Sequence, residues 1–329
     1  MRDKTRWHNI KMIALLSILI LTFVLTGCAK VNHIVHVENT KSGDAKFLSD
    51  NTIMGGEGGF LFFYRFDNRK KTMSDIRSNW SDRLPEENIV VVSDSDCETR
   101  ICQTDANQRI VWVHPLFSKD CDLRIDPAIV KIDKTYYLTS TRINGEINRA
   151  DPAKENGAYA LSLYRSNDLM NWTYVRDIVN EKSNIEDIDL MNDDGKLRVT
   201  FERETVDKGA SAIVTMVSPD GGSTWGEPVT LVDDGSDNEL ASLMKTDSGY
   251  RLFFSSDAMR KGESYQGSSA YVTSFDPAFK PVKTDRLITK PESGVLLYDV
   301  IVKNDSVKLL FAENYLTDNN LIAENIPLP

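Results

Sequence analysis

Hydrophobic and polar residues follow the same order in four segments of this chain. Each segment has a short aliphatic run, a polar turn, and a strand in which apolar and polar positions alternate. The segments are Ala128–Arg142, Asp189–Arg203, Ser242–Ser256 and Val300–Asn314. Aligned on Val130, Met191, Met244 and Val302, they are 61, 53 and 58 residues apart. Alternation with a period of two indicates β-strands, and a repeat of this length suggests the blades of a propeller.

Three acidic turns repeat at nearly the same interval. Their carboxylates belong to Asp168 in SNDLMNW, Asp220 in SPDGGSTW and Asp276 in SFDPAF. An Asp in such a turn can accept hydrogen bonds from the backbone amides beyond it, and glycine adopts a positive φ without steric cost. The pattern S-x-D-x-G-x-T-W resembles the Asp box of sialidase-like β-propellers, a structural turn at the outside of a blade. The resemblance therefore implies a fold and only indirectly a function.

Each repeat predicts four antiparallel strands joined by these turns. In the first repeat they cover residues 128–132, 135–141, 158–166 and 172–179. Four repeats occupy Ile125 to the C-terminus, with the last short of strands. Residues from about Asn51 to Phe117 are expected to supply another blade and the strand that closes the ring. The predicted fold is an all-β propeller, an architecture in which ring closure protects the edges of the sheets. Five blades fit best and six remain open.

The N-terminal residues have the features of an export signal. Basic residues between Arg2 and Lys11 precede the apolar run Met12–Leu25. This order is typical of signal peptides, and the run is too short for an ordinary membrane span. The run ends in LTGC, which resembles a bacterial lipobox and implies that Cys28 is lipid-modified; a plain signal peptide with an incidental cysteine is the alternative. We expect a signal peptide at 1–27, a tether at 28–50 and one propeller domain at 51–329, exported and anchored to a bacterial membrane.

Composition narrows the classes of partner. The chain has 329 residues, 41% of them hydrophobic and 27% charged, and a formal net charge of −10. Such a charge disfavours nucleic acids and polyanions, whereas neutral glycans remain open. No cofactor or metal is predicted, because His114 stands alone in its region and no histidine lies at ligand spacing. The chain is expected to be a monomer.

Three cysteines remain besides Cys28. In an exported protein Cys97, Cys102 and Cys121 lie in a compartment where disulfides form. They allow one bridge and leave one thiol, and the spacing does not choose between the pairings.

A second resemblance concerns the phrase IDPAIV at residues 125–130, the YYL that follows, and S-x-D-L-x-N-W at residues 166–172. Together they look like the opening blade of the superfamily of five-bladed propeller glycosidases that includes arabinanases, xylosidases and invertases. Those enzymes carry an Asp at the mouth end of one inner strand, an Asp on the next blade and a Glu on the blade after it. The matching positions here are Asp126, Asp187 and Glu239, so the resemblance implies that these are the catalytic residues.

The resemblance covers about half of the mature chain, and one feature departs from it. In many of those enzymes the first Asp is close to the mature N-terminus, whereas nearly a hundred residues of the mature chain precede Asp126. If a blade lies before Asp126, the acid role could instead fall to Glu186, with a nucleophile further upstream.

Carboxylates at these places also have a physical rationale. The inner strands of a propeller converge on a central funnel, so acids at the starts of successive inner strands point into one cavity. Glycoside hydrolysis needs one ionised and one protonated carboxyl, at a separation of roughly 5–9 Å that selects retention or inversion. Asp126 would be base or nucleophile, Asp187 would tune the site, and Glu239 would donate the proton. The structural alternative is that these acids cap strand ends and bind backbone amides.

Two other functions stay open. A sialidase needs three arginines and a tyrosine nucleophile, for which Arg124, Arg142, Arg203 and Arg251, with Tyr298 and Tyr315, are the candidates. Arg203 is also explained by ion pairing with acidic neighbours. A propeller that binds a glycan without cleaving it could use aromatic platforms at Trp112, Tyr136, Tyr159 or Tyr265.

Overall fold

The structure is a computed structural model of the chain. It describes residues 34–36, 62–65, 75–78, 80–93, 99–104, 110–117, 123–144, 158–204, 209–258, 267–288, 294–303, 306–313 and 320–328. The predicted signal peptide, Cys28, Cys97, Cys121, Tyr265 and Tyr315 lie outside these ranges. Within them, no helix has the length and apolar character needed to cross a membrane.

Nearly all of the described secondary structure is β-strand. The first strands are β1 (Ile34–His36), β2 (Phe62–Arg65) and β3 (Asp75–Ser78), and the last two form a separate two-stranded sheet. Blade 1 contains β4 (Trp80–Leu84), β5 (Ile89–Ser93), β6 (Thr99–Thr104) and β7 (Ile110–Phe117). A single 3-10 turn, Pro85–Glu87, joins β4 to β5.

Blades 2 to 4 follow in chain order. Blade 2 contains β8 (Leu123–Ile132), β9 (Thr135–Asn144), β10 (Ala158–Ser166) and β11 (Thr173–Glu181). Blade 3 contains β12 (Asn184–Asp193), β13 (Lys196–Glu204), β14 (Ser211–Ser218) and β15 (Val229–Val232). Blade 4 contains β16 (Asn238–Thr246), β17 (Gly249–Ser256), β18 (Ser269–Phe275) and β19 (Pro281–Arg286).

Blade 5 joins the two ends of the sequence. It is built from β20 (Val295–Lys303), β21 (Ser306–Glu313) and β22 (Asn320–Pro327), with β1 as its outermost strand. The five-bladed prediction is confirmed, but the closing strand differs from the expected one. It comes from residues 34–36, inside the predicted tether and outside the range from about Asn51 to Phe117 that was expected to supply it, while β2 pairs with β3. An outer edge can pair with any free strand that reaches it, so local pattern does not specify which strand closes the ring.

The core lies in layers between neighbouring blades. The first strands pack against one another in order, β4 on β8, β8 on β12, β12 on β16 and β16 on β20. Between blades 2 and 3 the layer includes Ile125, Leu161, Leu197 and Phe201, all fully buried. Because both faces of a blade are covered, its alternating strands carry buried residues on either side.

The three acidic turns connect the third and fourth strands of blades 2, 3 and 4. Asp220 accepts hydrogen bonds from the backbone N–H and the hydroxyl of Thr224, both at 2.8 Å. Trp225 folds back so that its indole N–H donates to the carbonyl of Gly222 at 3.2 Å. Gly221 and Gly222 have φ of 67° and 89°, which few other residues adopt. These carboxylates therefore stabilise turns at the outside of the blades.

Cys102 has a free thiol and is completely buried on β6. Of the pairings that the sequence left open, the two that use Cys102 are therefore not formed. Burial raises the pKa of the Cys102 thiol to about 12. A neutral buried thiol behaves as a small apolar side chain, which explains its place between aliphatic neighbours of the ladder.

Candidate active site

Bulges on two inner strands set the direction of two predicted site residues. In β8, Ile125 and Ala128 pair with Thr141 and Thr139, so two residues oppose one on β9. The bulged residue Asp126 has a φ of 45°, and Asp187, at the matching bulge of β12, has a φ of 49°. Positive φ is uncommon for residues other than glycine, and Asp tolerates it better than most. A bulge re-aims a side chain, which is why these two carboxyl groups leave the alternation of their strands.

Asp126 and Asp187 are in direct contact across the boundary between blades 2 and 3. The backbone N–H of Asp187 donates to Oδ2 of Asp126 at 3.0 Å. Similar bonds link other inner strands, since Asp82 accepts from the N–H of Ile129 and Asp189 from that of Leu243, both at 2.6 Å. The structural role that the sequence allowed for Asp126 is therefore present, together with its place beside Asp187.

Glu239 approaches this pair from blade 4. It lies near the start of β16, opposite Ser255 on β17. Carboxylate oxygens of Asp187, Glu202 and Glu239 all lie within 4.8 Å of one another. Three successive inner strands thus bring together the three acids that the sequence nominated, and their catalytic roles remain predictions.

Glu202 is a member of this cluster that sequence reasoning missed. It lies on β13, the second strand of blade 3, directly opposite Glu186 of β12. Its carboxylate also lies within 4.8 Å of those of Glu204 and Asp237. The alternation in FERE carried a signal, because Glu202 and Glu204 share one face of β13. The sequence does not say which face of β13 is turned towards the next blade, so it did not distinguish these two glutamates from Arg203 on the opposite face.

Electrostatics set this cluster apart from ordinary surface acids. Burial, and then the charge of Asp126, raise the pKa of Asp187 well above its usual range; Glu186 adds to the rise, while hydrogen bonds with Glu239 and Glu202 oppose it. Burial, and then the charges of Glu239, Glu204, Asp187 and Asp237, raise the pKa of Glu202 in the same way. Burial and like charges therefore both favour the protonated forms of Asp187 and Glu202.

The same carboxyl groups could also hold a cation. Two sets of three acids are close enough, Asp187 with Glu202 and Glu239, and Glu202 with Glu204 and Asp237. Hard cations such as Ca²⁺ prefer oxygen ligands of this kind. The prediction of no metal rested on the absence of histidines at ligand spacing. Carboxylates that come together from three strands are far apart in the sequence, so no spacing motif indicates them.

The remaining candidates occupy other positions. Glu186 is half-buried and contributes charge to Asp187 from the neighbouring position on β12. Arg124 donates to the hydroxyl of Tyr164 at 2.8 Å and lies over the ring of Phe117. Arg203 pairs with Glu181 of β11 at 2.5 Å, so its ion pair is with a residue of the neighbouring blade and not with the acidic sequence neighbours that were expected.

The proposed arginine set does not assemble through these contacts. Arg142 pairs with Asp177 at 3.4 Å, so Arg124, Arg142 and Arg203 all contact residues of β10 or β11, the outer strands of blade 2. Arg251 lies opposite Met244, towards the other end of blade 4 from Glu239. Tyr298 is completely buried at the bulge of β20. The described contacts therefore give these residues packing and pairing roles in the blades.

Comparison with known proteins identifies the class of fold. Neither a family model nor the sequence of any curated protein matches the chain. Its structure is similar to that of an endo-arabinase from Bacteroides thetaiotaomicron, with a TM-score of 0.52 and 11% identity over 84% of this chain and 98% of that one. It is also similar to a β-1,2-mannobiose phosphorylase from Listeria innocua, with a TM-score of 0.50 and 13% identity over 91% and 97% of the two chains. The chain is a five-bladed β-propeller of the kind found in these carbohydrate-active enzymes.

Proposed function

We propose that this propeller is a glycoside hydrolase that cleaves a neutral glycan where Asp126, Asp187 and Glu239 meet. The observation that carries the proposal is their convergence. Asp126 accepts a hydrogen bond from the backbone of Asp187, and the carboxylates of Asp187 and Glu239 lie within 4.8 Å. Glycoside hydrolysis requires such a set, in which one carboxyl is ionised and another keeps its proton.

The surroundings of each carboxyl suggest its role. The N–H donated to Asp126 stabilises the ionised form, which suits a base or nucleophile. Glu239 is 8% exposed, against 3% for Asp187 and 2% for Glu202, so its proton is the one that a leaving oxygen reaches most easily. Asp187 lies between them and couples the two charges.

The charge of the site favours an uncharged substrate and water as the nucleophile. The strongest electrostatic influences on Asp187 and Glu202 come from other carboxyl groups. An anionic substrate or co-substrate, such as a sialylated glycan or phosphate, would be repelled at this place. Hydrolysis of a neutral glycan therefore fits better than sialidase or phosphorylase activity.

A substrate screen tests the proposal. The purified full chain and the Asp126→Asn variant are incubated with arabinan, xylan, fructan and sialylated oligosaccharides, and released sugar is measured. We expect release from at least one neutral glycan by the wild type and none by the variant. Equal release by both proteins would remove Asp126 from the chemistry. A glycan that the wild type binds but does not cleave would favour a binding propeller.

We also propose that acylated Cys28 anchors the protein to a bacterial membrane. The support is the LTGC sequence at the end of the apolar run. Each methylene of an acyl chain that is buried in the bilayer contributes about 0.8 kcal/mol to membrane binding, so two or three chains hold a protein at a membrane stably. Cys28→Ser should release the protein from the membrane fraction or leave it unprocessed. Its recovery in membranes at the mature size and level would contradict the proposal.

A further inference from the structure

Glu202 occupies the most enclosed position of the acid cluster. Its side chain is 2% exposed, and its carboxylate lies within 4.8 Å of those of Asp187 and Glu239. It comes from the second strand of blade 3, whereas Asp187 and Glu239 come from first strands. It is also less exposed than Glu239, at 2% against 8%.

Within the part of the chain that the structure describes, the charged groups that act on Glu202 are acids. From β12 they are Asp187 and Glu186, from β13 Glu204, and from the start of blade 4 Asp237 and Glu239. The residue opposite Glu202 on β14 is Ile213, which is apolar and fully buried. Without a cation among them, several buried carboxyl groups at this spacing cannot all be ionised, because each charge loses its hydration and repels the others.

In a cluster that holds no cation, protons are therefore shared, and they belong to the group as a whole. Glu202 is a natural place for one of them, since it is the deepest. Burial and the neighbouring charges raise the pKa of Glu202 well above that of an ordinary glutamate. A neutral carboxylic acid can donate a hydrogen bond, which a carboxylate cannot.

We propose that Glu202 is a positioning residue: a neutral carboxylic acid that donates its O–H towards Asp187 and Glu239 and stabilises the Glu239 carboxylate formed during cleavage. This inference rests on the proposed glycosidase function. In the bond-breaking step the proton of Glu239 moves to the leaving oxygen as the glycosidic bond breaks. Glu202 keeps its own proton, and its hydrogen bond strengthens as negative charge develops on Glu239.

Two variants of the full chain separate this role from packing. Glu202→Gln keeps the shape and a donor but cannot ionise, whereas Glu202→Met keeps the approximate volume and has no donor. On a substrate that the wild type cleaves, we expect Gln to retain kcat within about threefold and Met to lose about 100-fold, with little change in KM. The alkaline midpoint of the kcat/KM profile should not fall in the Gln variant, because a neutral group replaces a neutral group.

Infrared difference spectroscopy supplies a readout that does not depend on activity. The spectrum of the wild type minus that of Glu202→Gln, at neutral pH, should show the carbonyl stretch of a protonated carboxyl. Without that band, Glu202 is ionised and the inference is wrong. A fall of about one unit in the alkaline midpoint of Glu202→Gln would lead to the same conclusion, because it would mean that a negative charge had been removed.

Two further outcomes also overturn the inference. Full kcat in Glu202→Met would leave Glu202 with packing alone. A chelator that lowers the Tm of the wild type but not of Glu202→Gln would show an ionised cluster around a cation. A wild type that cleaves no glycan would instead defeat the proposed function, whereas an active wild type without the infrared band defeats only the role of Glu202.

Discussion

Buried carboxyl groups have opposite kinds of partner at the two ends of the boundary between blades 3 and 4. At one end Asp193 accepts hydrogen bonds from Arg198 at 2.8 and 2.9 Å, from Lys245 at 2.7 Å and from Tyr250 at 2.9 Å. At the other end, Asp187, Glu202 and Glu239 lie within 4.8 Å of one another. The same strands, β12, β13 and β16, supply both arrangements.

The pKa directions of the two ends follow from these partners. Burial pushes the pKa of Asp193 upwards, but hydrogen bonds from Lys245, Arg198 and Tyr250 outweigh it and the pKa is lowered. For Asp187 and Glu202, burial and like charges act together and the pKa is raised. Burial alone therefore does not decide whether a carboxyl is charged; its partners do.

The paired end is suited to holding the blades together. The guanidinium of Arg198 lies 5.2 Å from the ring of Tyr250 and 4.7 Å from that of Phe279, and these residues lie on blades 3 and 4. The acid end opposes folding at neutral pH, since its groups must be kept protonated. Groups with perturbed pKa values are typical of functional sites, which supports a catalytic interpretation of that end.

The largest expected effect is on activity at the acid end. Glu239→Gln should lower kcat on substrates with poor leaving groups by about 100-fold or more, because the amide keeps the shape and lacks the proton. Activated aryl glycosides should be affected much less. Asp126→Asn should abolish turnover of both substrates. Glu181→Gln is the control, because Glu181 pairs with Arg203 and is not a member of the acid cluster; its activity should stay near that of the wild type. Wild-type activity of Glu239→Gln on the poor substrate would contradict its role.

At the paired end the expected effect is on stability. Asp193→Asn should lower the free energy of unfolding by about 3 kcal/mol, because it leaves Arg198 buried without its carboxylate. Denaturant titration measures it. Asp194→Asn is the matched control, since Asp194 also pairs with Lys245 but its side chain is 80% exposed, and it should change stability little. Equal losses in the two variants would mean that burial does not distinguish them.

The pH dependence of stability tests the acid end directly. In the unfolded chain Asp and Glu titrate near about 4, whereas Asp187 and Glu202 hold their protons to higher pH when folded. The folded state then binds more protons than the unfolded state, so these groups favour folding most at low pH and lose that contribution as pH rises through their folded pKa values.

Their contribution to Tm should therefore fall from about pH 5 upwards, and Glu202→Gln should have a flatter profile than the wild type. Asp193 acts in the other direction, because a lowered pKa gives stability that is lost as pH falls. Parallel profiles for the wild type and Glu202→Gln would show that Glu202 is not protonated in the fold.

The smallest effect is expected at the outer turns, which form a third environment. Hydrogen bonds from the N–H and hydroxyl of Thr224 lower the pKa of Asp220, which stays charged in water. Both hydrogen bonds are exposed to solvent, so losing them costs little. Asp220→Ala should lower Tm slightly and leave activity intact. Loss of activity at unchanged Tm would move Asp220 from the scaffold to the site.

Much of the fold was predictable because each blade is local. The four strands expected between residues 128 and 179 are found as β8 to β11. The bounds of β10 agree, those of β9 and β11 differ by one to three residues, and β8 begins at Leu123 instead of residue 128. Alternation, tight turns and the turn at Asp168 all act over a few residues, and short-range pattern records them. The closing strand was missed because its pairing joins opposite ends of the chain.

The candidate site was predictable only in part. Asp126, Asp187 and Glu239 were found through a resemblance of motifs, whereas Glu202 and the pairing of Arg124 with Tyr164 were not. In a propeller both faces of a strand are buried, so alternation does not indicate which neighbouring blade a side chain meets.

By itself, the sequence determined the strands, the repeat and the acidic turns, because each depends on interactions between residues close in the chain. The tertiary structure alone decided which carboxyl groups face one another and which meet arginine or lysine. Asp187 and Asp193 are six positions apart on one strand and both are buried, yet the pKa of Asp187 is raised and that of Asp193 is lowered. The difference comes from residues brought in by other strands, and the cost of a buried charge depends on those neighbours.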